Sequence, residues 1–523
     1  MSAPRLDLGH QDASLILHLD VADDVVGLRL LRRDGCASLD VPFEDGMALI
    51  PLINLTAKKT LRWDVHCMGM DGSVRPLCAQ PPDAGDRHFF QWEHDGHGVS
   101  AYLSDSLGSV VLLCAPTDLH RRAIGDDAAR NAFPRWLETL PLESDLVLFE
   151  SFFGKAYGGN PRYIYEALRE IRPDLRCVWV YEGNESIPGN PRRVRRGSPE
   201  YFRFLATAGY RVNNIRFQCP GRKPQARYLQ TWHGTPLKHL GYDIEATGPE
   251  VAARASFYQE SRGWTTLLSP NPFSTTTLRR AFRYDGPVLE AGYPLSDPLV
   301  AAVPDRVTVA TELGLSPDRR YVLYAPTWRD HRPVGHWQFD FDLHLDLLAI
   351  SAALSPEEVL LVRAHHLVSE GLDPAGLPAN IIDVSQVDDA SRLCALADVL
   401  VTDYSSIFFD FAVTGRPVLF YCYDLDFYAE QVRGFYLDME RDLPGPLART
   451  TEELLTLLRD LPAVQACYAE RYIRFRDRFC QLADGNAARR VVEAFFGPHV
   501  RHAADRIFSP PPPANMKREP AWA

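Results

Sequence analysis

The sequence lacks any cysteine pattern that would support a metal centre or a redox motif. Ten cysteines are scattered over 523 residues, and none of them forms a C-x-x-C pair. Spaced cysteine pairs are the usual signature of zinc knuckles and thioredoxin-like sites, so neither class is indicated. Scattered, reduced thiols are typical of cytosolic proteins. We therefore expect a cytoplasmic protein without a bound metal.

Long apolar runs are also absent from the sequence. No stretch approaches the roughly 20 consecutive apolar residues that a membrane-spanning helix needs. The opening residues MSAPRLDLGHQDASLILHLD do not combine a basic start with an apolar segment, so we expect no signal peptide. Any contact with the cytoplasmic face of the cell membrane is expected to be peripheral.

An excess of positive charge and the common nucleotide-binding loops are missing as well. The formal net charge is −12, which argues against nucleic acid as a partner. The segment SFFGKAYGGNPR (151–162) contains Lys155 and several glycines. It matches neither the G-x-x-x-x-G-K-[ST] loop nor the G-x-G-x-x-G fingerprint. The sequence therefore disfavours an ATPase and a dehydrogenase.

The sequence does contain a clear change of pattern along its length. Residues 1–118 show short alternating runs separated by turn residues, which predict an antiparallel β-sandwich or barrel as an accessory domain. Residues 119–300 begin with a helical connector and continue as alternating strands and helices, including a predicted helix over 198–210. Residues 301–500 repeat this alternation, so the fold class is α/β with two Rossmann-type units. The proline-rich residues 501–523 predict a disordered tail.

Polar loops follow most of the predicted parallel strands. The carboxyl ends of such strands line the ligand crevice of open α/β sheets, so we expect a cleft between the two units. In the TDYSS loop, Ser405 and Ser406 begin a helix whose unpaired N–H groups suit a phosphate. Simple helix capping by Ser405 is the alternative. Arg329 and Arg363 follow two neighbouring strands, and their guanidinium groups complete a predicted diphosphate site.

Two histidines are the candidates for proton transfer. His233 lies in the loop TWHGTPLKH and His365 lies in RAHH, and imidazole titrates near neutral pH. A loop histidine without a role is the alternative for His233. His366 is adjacent to His365, but neighbouring residues on a strand point to opposite faces, so this pair is not expected to chelate a metal.

Taken in order, the motifs resemble those of the CDP-glycerol glycerophosphotransferase family, which includes teichoic-acid primases and polymerases and their capsule-polymer relatives. The matching segments run from about 147 to 447 and include LFESFFGKAYGGNPRYIYEAL, QTWHGTPLKHLGYD, YVLYAPTWR, LLVRAHH and ADVLVTDYSSIFFDF. The resemblance implies a GT-B fold in which residues 119–300 bind the acceptor and residues 301–500 bind a CDP-alditol donor.

The resemblance also implies roles for individual residues. His233 would be the base that activates the acceptor hydroxyl, and His365 would assist the pyrophosphate. The implied donor-binding residues are Thr327, Arg329, Arg363, Thr402, Asp403, Ser405, Ser406 and Asp410. The implied acceptor-side residues are Lys155, Asn160, Gly234, Thr235 and Lys238. The sequence departs from the family pattern at His366, where proline is usual, and at Leu295 in GYPLSD, where the family often has an arginine.

The expected activity is therefore that of a CDP-alditol phosphotransferase, a transferase of phosphorus-containing groups. It would move glycerol phosphate, or ribitol phosphate, to a hydroxyl of a cell-wall or capsule glycopolymer or a lipid-linked glycan, with release of CMP. This scheme requires no cofactor, although assistance by Mg²⁺ stays open. A GT-B glycosyltransferase that uses a nucleotide sugar and a non-catalytic glycan-binding protein are the alternatives.

Overall fold

The computed structural model of the chain describes most of the residues that carry these predictions. The described residues are 6–19, 24–78, 88–104, 108–244, 254–300, 306–327, 333–335, 338–339, 344–363, 376–429 and 434–497. The predicted tail 501–523 and the predicted site residues Arg329 and His365 lie outside these ranges.

The N-terminal part of the described chain forms two antiparallel sheets. Its strands are Leu6–Gln11 (β1), Ser14–Leu19 (β2), Val25–Arg32 (β3), Ser38–Pro42 (β4), Met47–Pro51 (β5), Leu61–Gly69 (β6), Val74–Pro76 (β7), His88–His94 (β8), His97–Leu103 (β9) and Val110–Pro116 (β10). One sheet has the order β1-β2-β5, and the other has the order β4-β3-β6-β10-β9-β8 with β7 paired to β6. Buried and partly exposed residues alternate along β6, as expected for a strand with one face on a core. Leu15 and Leu17 of the small sheet share this core with Leu28 and Val65 of the large sheet.

A long helix, α1 (Thr117–Thr139), connects these sheets to the α/β part of the chain. His88 of β8 hydrogen-bonds with Ser100 Oγ at 2.9 Å and with Asp127 Oδ2 at 3.1 Å. This buried polar chain ties α1 to the large antiparallel sheet. Nearer the end of α1, the ring of Phe133 packs against Phe202 of the following unit, with 6.2 Å between centroids.

The first α/β unit is built on a seven-stranded parallel sheet. Its strands are Glu143–Glu150 (β11), Arg176–Val180 (β12), Arg192–Val194 (β13), Ala208–Asn213 (β14), Arg227–Gln230 (β15), Thr266–Ser269 (β16) and Val288–Glu290 (β17). Its helices are Gly159–Ile171 (α2), Pro199–Thr207 (α3), Arg254–Gly263 (α4), Pro272–Phe282 (α5) and Asp297–Val300 (α6). The strand order β13-β12-β11-β14-β15-β16-β17 changes direction between β11 and β14. Ligands bind beside such a switch point in open α/β sheets.

The structure differs from the helix predicted over residues 198–210. The helix ends at Thr207, and Ala208 begins β14 in the middle of the sheet. A Cβ at Gly209 would lie 2.8 Å from the carbonyl oxygens of Glu143 and Ser144. The glycine therefore lies where two strand backbones approach each other closely. The apolar residues before it continue the pattern of the helix, so the sequence does not show where the strand begins.

The second α/β unit repeats the architecture with a six-stranded parallel sheet. Its strands are Arg320–Ala325 (β18), Glu358–Val362 (β21), Ile381–Asp383 (β22), Val399–Thr402 (β23), Val418–Tyr421 (β24) and Leu447–Ala448 (β25), and the hairpin Pro333–Gly335 (β19) with Gln338–Phe339 (β20) stands apart. Its helices are Arg306–Glu312 (α7), Leu347–Ala353 (α8), Ala390–Leu396 (α9), Ile407–Phe411 (α10), Leu425–Phe427 (α11), Thr451–Arg459 (α12), Leu461–Phe479 (α13) and Ala487–Phe496 (α14). The strand order is β22-β21-β18-β23-β24-β25. In the described part of the chain, no helix is both long and apolar enough to span a bilayer.

The last helix, α14, returns to the first α/β unit. Val491 and Phe495 of α14 lie in the same buried cluster as Ile164 and Leu168 of α2. The start of α14 is capped by Asp297, whose carboxylate accepts the backbone N–H groups of Ala487 at 2.9 Å and Ala488 at 2.7 Å. Helix α14 therefore connects the second α/β unit to the first.

Replacement of Asp297 tests this connection between the units. We expect Asp297→Ala to lower the free energy of unfolding by about 1–2 kcal/mol, because two N–H groups at the start of α14 lose their acceptor. Asp297→Asn, which keeps one side-chain oxygen, should lose less than half of that. Chemical denaturation measures both values. Equal stability of the alanine variant and the wild type would show that the cap contributes nothing.

Candidate active site

A cleft of about 600 Å³ lies between the two parallel sheets, at the carboxyl ends of their strands. The first unit contributes the loops after β11, β14 and β15, and the second contributes the loops after β18, β21, β22 and β23. Ten predicted site residues line it: Lys155, His233, Gly234, Thr235, Lys238, Thr327, Arg363, Ser405, Ser406 and Asp410. The structure thus brings together residues that are up to 255 positions apart in the chain, from Lys155 to Asp410.

His233 is held in a defined orientation by the loop after β15. Its Nδ1 atom lies 2.8 Å from the carbonyl oxygen of Asn214, so Nδ1 carries the proton and donates it to that oxygen. The other ring nitrogen, Nε2, is then left as the basic atom. The side chain of Gln230 accepts the backbone N–H of Trp232 at 2.9 Å, which stabilises the turn that precedes the histidine.

The surroundings of His233 favour the neutral imidazole. The ring is exposed to the cleft, but the protein on both sides displaces bulk water. This desolvation lowers the pKa of His233 below its ordinary value of 6.5, the hydrogen bond to Asn214 opposes the change, and the charge of Lys238 adds to it. A neutral histidine with a free Nε2 can accept a proton at neutral pH.

Hydroxyl and guanidinium groups form the opposite wall of the cleft. Arg363, Ser405 and Ser406 line it together with His233. The Nη1 atom of Arg363 donates to the carbonyl oxygen of Val387 at 2.5 Å, which fixes the side chain in place. Burial lowers the pKa of Arg363 below its ordinary value, but a guanidinium stays charged in proteins. The wall therefore presents positive charge and hydroxyl donors.

The helix that follows the two serines is short. It spans Ile407–Phe411 and is followed by a 3₁₀ turn at Ala412–Thr414. Ser405 Oγ accepts the backbone N–H of Ile407 at 3.4 Å, so Ser405 has a capping contact as well as a place on the cleft wall. So short a helix has a weak dipole, so the hydroxyl groups and Arg363 are the stronger candidates for contact with an anion.

Three predicted ligand contacts lie beneath the cleft wall. Asn160, Thr402 and Asp403 have no more than 1% of their surface exposed. Asn160 donates to the carbonyl oxygens of Thr231 and Trp232 at 3.4 Å, and Asp403 accepts the N–H of Thr327 at 2.8 Å. These buried side chains hold the loops in position, and they do not contact the space of the cleft.

Two aspartates that the sequence analysis did not select also line the cleft. Asp388 accepts the N–H of Tyr157 at 2.9 Å and the hydroxyl of Tyr181 at 2.6 Å. Asp389 accepts the hydroxyl of Tyr163 at 2.6 Å. Both aspartates belong to the second unit and all three tyrosines to the first, so these hydrogen bonds join the units at the cleft. No short motif marks such long-range partners in a single sequence.

Asp410 lies half-buried on the cleft wall. Desolvation, followed by the nearby charge of Asp389, raises the pKa of Asp410 to about 8. Its carboxyl group is therefore protonated at neutral pH and can donate a hydrogen bond.

Among the described residues, no three histidine, cysteine, aspartate or glutamate side chains are arranged to hold a metal ion.

Comparison with known proteins identifies the family. The family described as CDP-Glycerol:Poly(glycerophosphate) glycerophosphotransferase matches residues 133–497, and this chain belongs to it. The match includes both parallel sheets and the whole cleft. It leaves out the antiparallel sheets that precede α1.

Individual relatives agree with this assignment. A teichoic acid poly(glycerol phosphate) polymerase of Staphylococcus epidermidis is 38% identical over 358 residues, 66% of this chain and 49% of that protein. The chain thus spans about half the length of that relative. A teichoic acid glycerol-phosphate transferase of Staphylococcus aureus is 37% identical over 372 residues, 69% of this chain and 95% of that protein.

A solved structure supports the same assignment. It is that of a variant of the wall teichoic acid polymerase TagF soaked with CDPG, and it has a TM-score of 0.65 and 35% identity. The likeness covers 71% of this chain and 92% of that one.

The close approach of Gly234 to Ser406 across the cleft gives a prediction. A Cβ at this glycine, whose φ is +149°, would lie 2.3 Å from Ser406 Oγ and 2.9 Å from Ser406 Cβ. We expect Gly234→Ala to lower the free energy of unfolding by about 1–3 kcal/mol, because the two units can no longer approach as closely. Gly125→Ala in α1 is the matched control, since a Cβ there meets nothing within 4 Å. If denaturation finds Gly234→Ala as stable as Gly125→Ala, the close approach of the loops is wrong.

Proposed function

We propose that the protein transfers glycerol phosphate from CDP-glycerol to a hydroxyl of a cell-wall or capsule glycopolymer and releases CMP. The observation that carries this proposal is the position of His233. Its free Nε2 faces a cleft whose other wall carries Arg363, Ser405 and Ser406. Attack by a hydroxyl on a diphosphate requires a base on one side of a narrow space and an anion-binding wall on the other. Ribitol phosphate is the alternative transferred group.

In the reaction, the acceptor hydroxyl attacks the phosphorus that carries the alditol. A new bond forms between the acceptor oxygen and that phosphorus, and the bond from phosphorus to the bridging oxygen breaks, so CMP leaves with the electron pair. The hydroxyl proton passes to Nε2 of His233, while the carbonyl of Asn214 holds Nδ1–H and stabilises the imidazolium. Because desolvation lowers the pKa of His233, protonation of this base should slow the reaction at pH values below the ordinary imidazole pKa.

The donor is held by the second unit in this proposal. Arg363, Ser405 and Ser406 would bind the diphosphate, and Thr327 and the protonated Asp410 would donate further hydrogen bonds. Positive charge and hydrogen bonds at the diphosphate favour the departing CMP. Arg329 and His365 stay predicted members of this group. The chemistry requires no metal, and Mg²⁺ bound with the diphosphate would act as an additional counter-charge.

The architecture fits this division of labour. We infer that the two parallel-sheet units form a GT-B-like pair, in which the unit with Lys155, Thr235 and Lys238 faces the acceptor. The two antiparallel sheets share one core, which supports a β-sandwich accessory domain before α1. We also propose that a polymeric or lipid-linked acceptor is met at the cytoplasmic membrane face, with peripheral contact only.

Replacement of His233 tests the proposed base. Loss of a general base typically slows the chemical step by about 10²–10⁴-fold, and we expect this fall in CMP release for His233→Ala with CDP-glycerol and acceptor. His239→Ala is the matched control, because His239 lies on the same loop and packs against Tyr436, 4.6 Å between centroids. Near-wild-type release by His233→Ala would refute the assignment. Competition by UDP-sugars instead of CDP-glycerol would favour the glycosyltransferase alternative.

The raised pKa of Asp410 gives a second prediction. The protonated carboxyl donates a hydrogen bond to the donor, whereas the carboxylate that forms above a pH of about 8 repels the diphosphate. We therefore expect the affinity for CDP-glycerol, measured by calorimetry, to fall as the pH rises through about 8. In Asp410→Asn this fall should disappear.

Asp426→Asn is the control for this titration. Its side chain is 76% exposed, so its removal should leave the pH profile of the wild type unchanged. An alkaline loss of affinity that persists unaltered in Asp410→Asn would contradict the role of Asp410.

A further inference from the structure

A second cavity, of about 910 Å³, adjoins the cleft on the first unit. Four arginines line it: Arg262, Arg279, Arg280 and Arg283. They come from α4, from the last turn of α5 and from the residue that follows α5. We call these four side chains and the space between them the arginine pocket. Such a concentration of positive charge stands out in a chain with a formal net charge of −12.

The positive charge of the arginine pocket is only partly neutralised. Arg280 pairs with Asp243 at 3.0 Å, and Arg262 pairs at 3.3 Å with Asp285, whose side chain is 81% exposed. Within the described ranges, no carboxylate lies within ion-pair distance of Arg279 or Arg283. Arg279 donates to the carbonyl oxygen of Gly286 at 3.0 Å. Two cations are thus available to an anion that enters the pocket.

The end of α5 explains only some of these arginines. Cations in the last turn of a helix interact favourably with its dipole, which accounts for Arg279 and Arg280. Arg262 lies in the last turn of a different helix, α4, so the same interaction accounts for it. Arg283 caps α5 with a φ of 48° and a ψ of 44°, a left-handed conformation that glycine adopts without strain. An arginine at this position costs stability, which favours a role for its side chain.

Aromatic rings hold two of the guanidinium groups in place. Arg283 lies 3.7 Å from the ring centroid of Tyr242, and Arg262 lies 4.7 Å from that of Tyr258. Stacked guanidinium groups keep their edge donors free, and those donors match the geometry of phosphate oxygens. The pocket is therefore prepared for a phosphate group before any ligand arrives.

The arginine pocket is continuous with the catalytic cleft along the chain. Gly241 lines the cleft and Tyr242 lines the pocket, and the same holds for Phe282 and Arg283. Two pairs of adjacent residues thus contribute one member to each space, which places the cleft and the pocket on neighbouring parts of the first unit.

We propose that the arginine pocket binds a phosphodiester group of the acceptor polymer, behind the hydroxyl that reacts in the cleft. This inference rests on the proposed function and names a second acceptor subsite. A membrane surface is disfavoured, because stable interfacial docking combines electrostatic attraction with buried apolar area. Of the described large apolar side chains that are exposed, Tyr258 is the one that lines this pocket.

The test uses the full chain and two probes, a glycerol phosphate monomer and a synthetic poly(glycerol phosphate) oligomer, without any donor present. We expect the double variant Arg279→Gln/Arg283→Gly to bind the oligomer about tenfold or more weakly, since each lost charge-assisted contact is typically worth about that factor. Binding of the monomer, whose one phosphate can also occupy the anion-binding wall of the cleft, should fall by a smaller factor. The salt dependence of oligomer binding should also become shallower.

Arg283→Gly alone separates binding from folding. Glycine relieves the left-handed strain, so the thermal midpoint of this variant should equal or exceed that of the wild type while oligomer binding falls. Arg474→Gln is the matched control, because the side chain of Arg474 is 69% exposed and lies on α13. It should bind the oligomer like the wild type.

The remaining outcomes are decisive. Unchanged oligomer binding in the double variant would overturn the inference, and so would an equal loss for monomer and oligomer. Loss of binding to anionic lipid vesicles with intact oligomer binding would indicate a membrane contact instead. If CMP release fails even in the wild type but oligomer binding still depends on Arg279 and Arg283, the proposed activity is wrong and the polymer subsite stands.

Discussion

The site depends on one hydrogen bond, from Nδ1 of His233 to the carbonyl oxygen of Asn214. This bond connects the loops after two adjacent strands, β14 and β15, and it determines which ring nitrogen is basic. Because the acceptor is a backbone atom of a central strand end, its position follows from the sheet itself. The orientation of the His233 ring is thus a consequence of strand register, and side chains such as Gln230 and Asn160 stabilise the turn around it.

The second requirement is that the two sheets face each other across a narrow space. Gly234 meets Ser406 without room for a Cβ, and Asp388 and Asp389 accept hydrogen bonds from tyrosines of the opposite unit. Buried carboxylates are costly unless each is well paired, so these aspartates favour one relative placement of the units. Helix α14 packs on the first unit and adds an apolar contact between the units to the hydrogen bonds of the two aspartates.

The sequence was informative where local pattern and chemistry coincide. Apolar strands followed by polar loops predicted the two parallel sheets, and the loop motifs placed His233, Arg363 and Ser405 on a common cleft, where the structure has them. It was uninformative where a partner is a backbone atom, as for Asn214, or lies far along the chain, as for Asp388 and Tyr157, which are 231 positions apart. It was also misleading at Ala208, because an apolar strand that directly follows a helix continues the same apolar composition.

Desolvation makes two titratable groups of the cleft neutral. Desolvation lowers the pKa of the His233 imidazole and raises that of the Asp410 carboxyl, so both groups are neutral before a ligand enters. The cations on the lining of the cleft are Lys155, Lys238 and Arg363, and the carboxylates of Asp388 and Asp389 on the same lining accept hydrogen bonds from tyrosines. An anionic diphosphate would therefore be attracted to these cations and to the hydroxyl donors, and the water it displaces would strengthen these interactions. The same reasoning extends to the arginine pocket. Among the described residues, Arg279 and Arg283 have no carboxylate partner there, so their charges are available to a further anionic group.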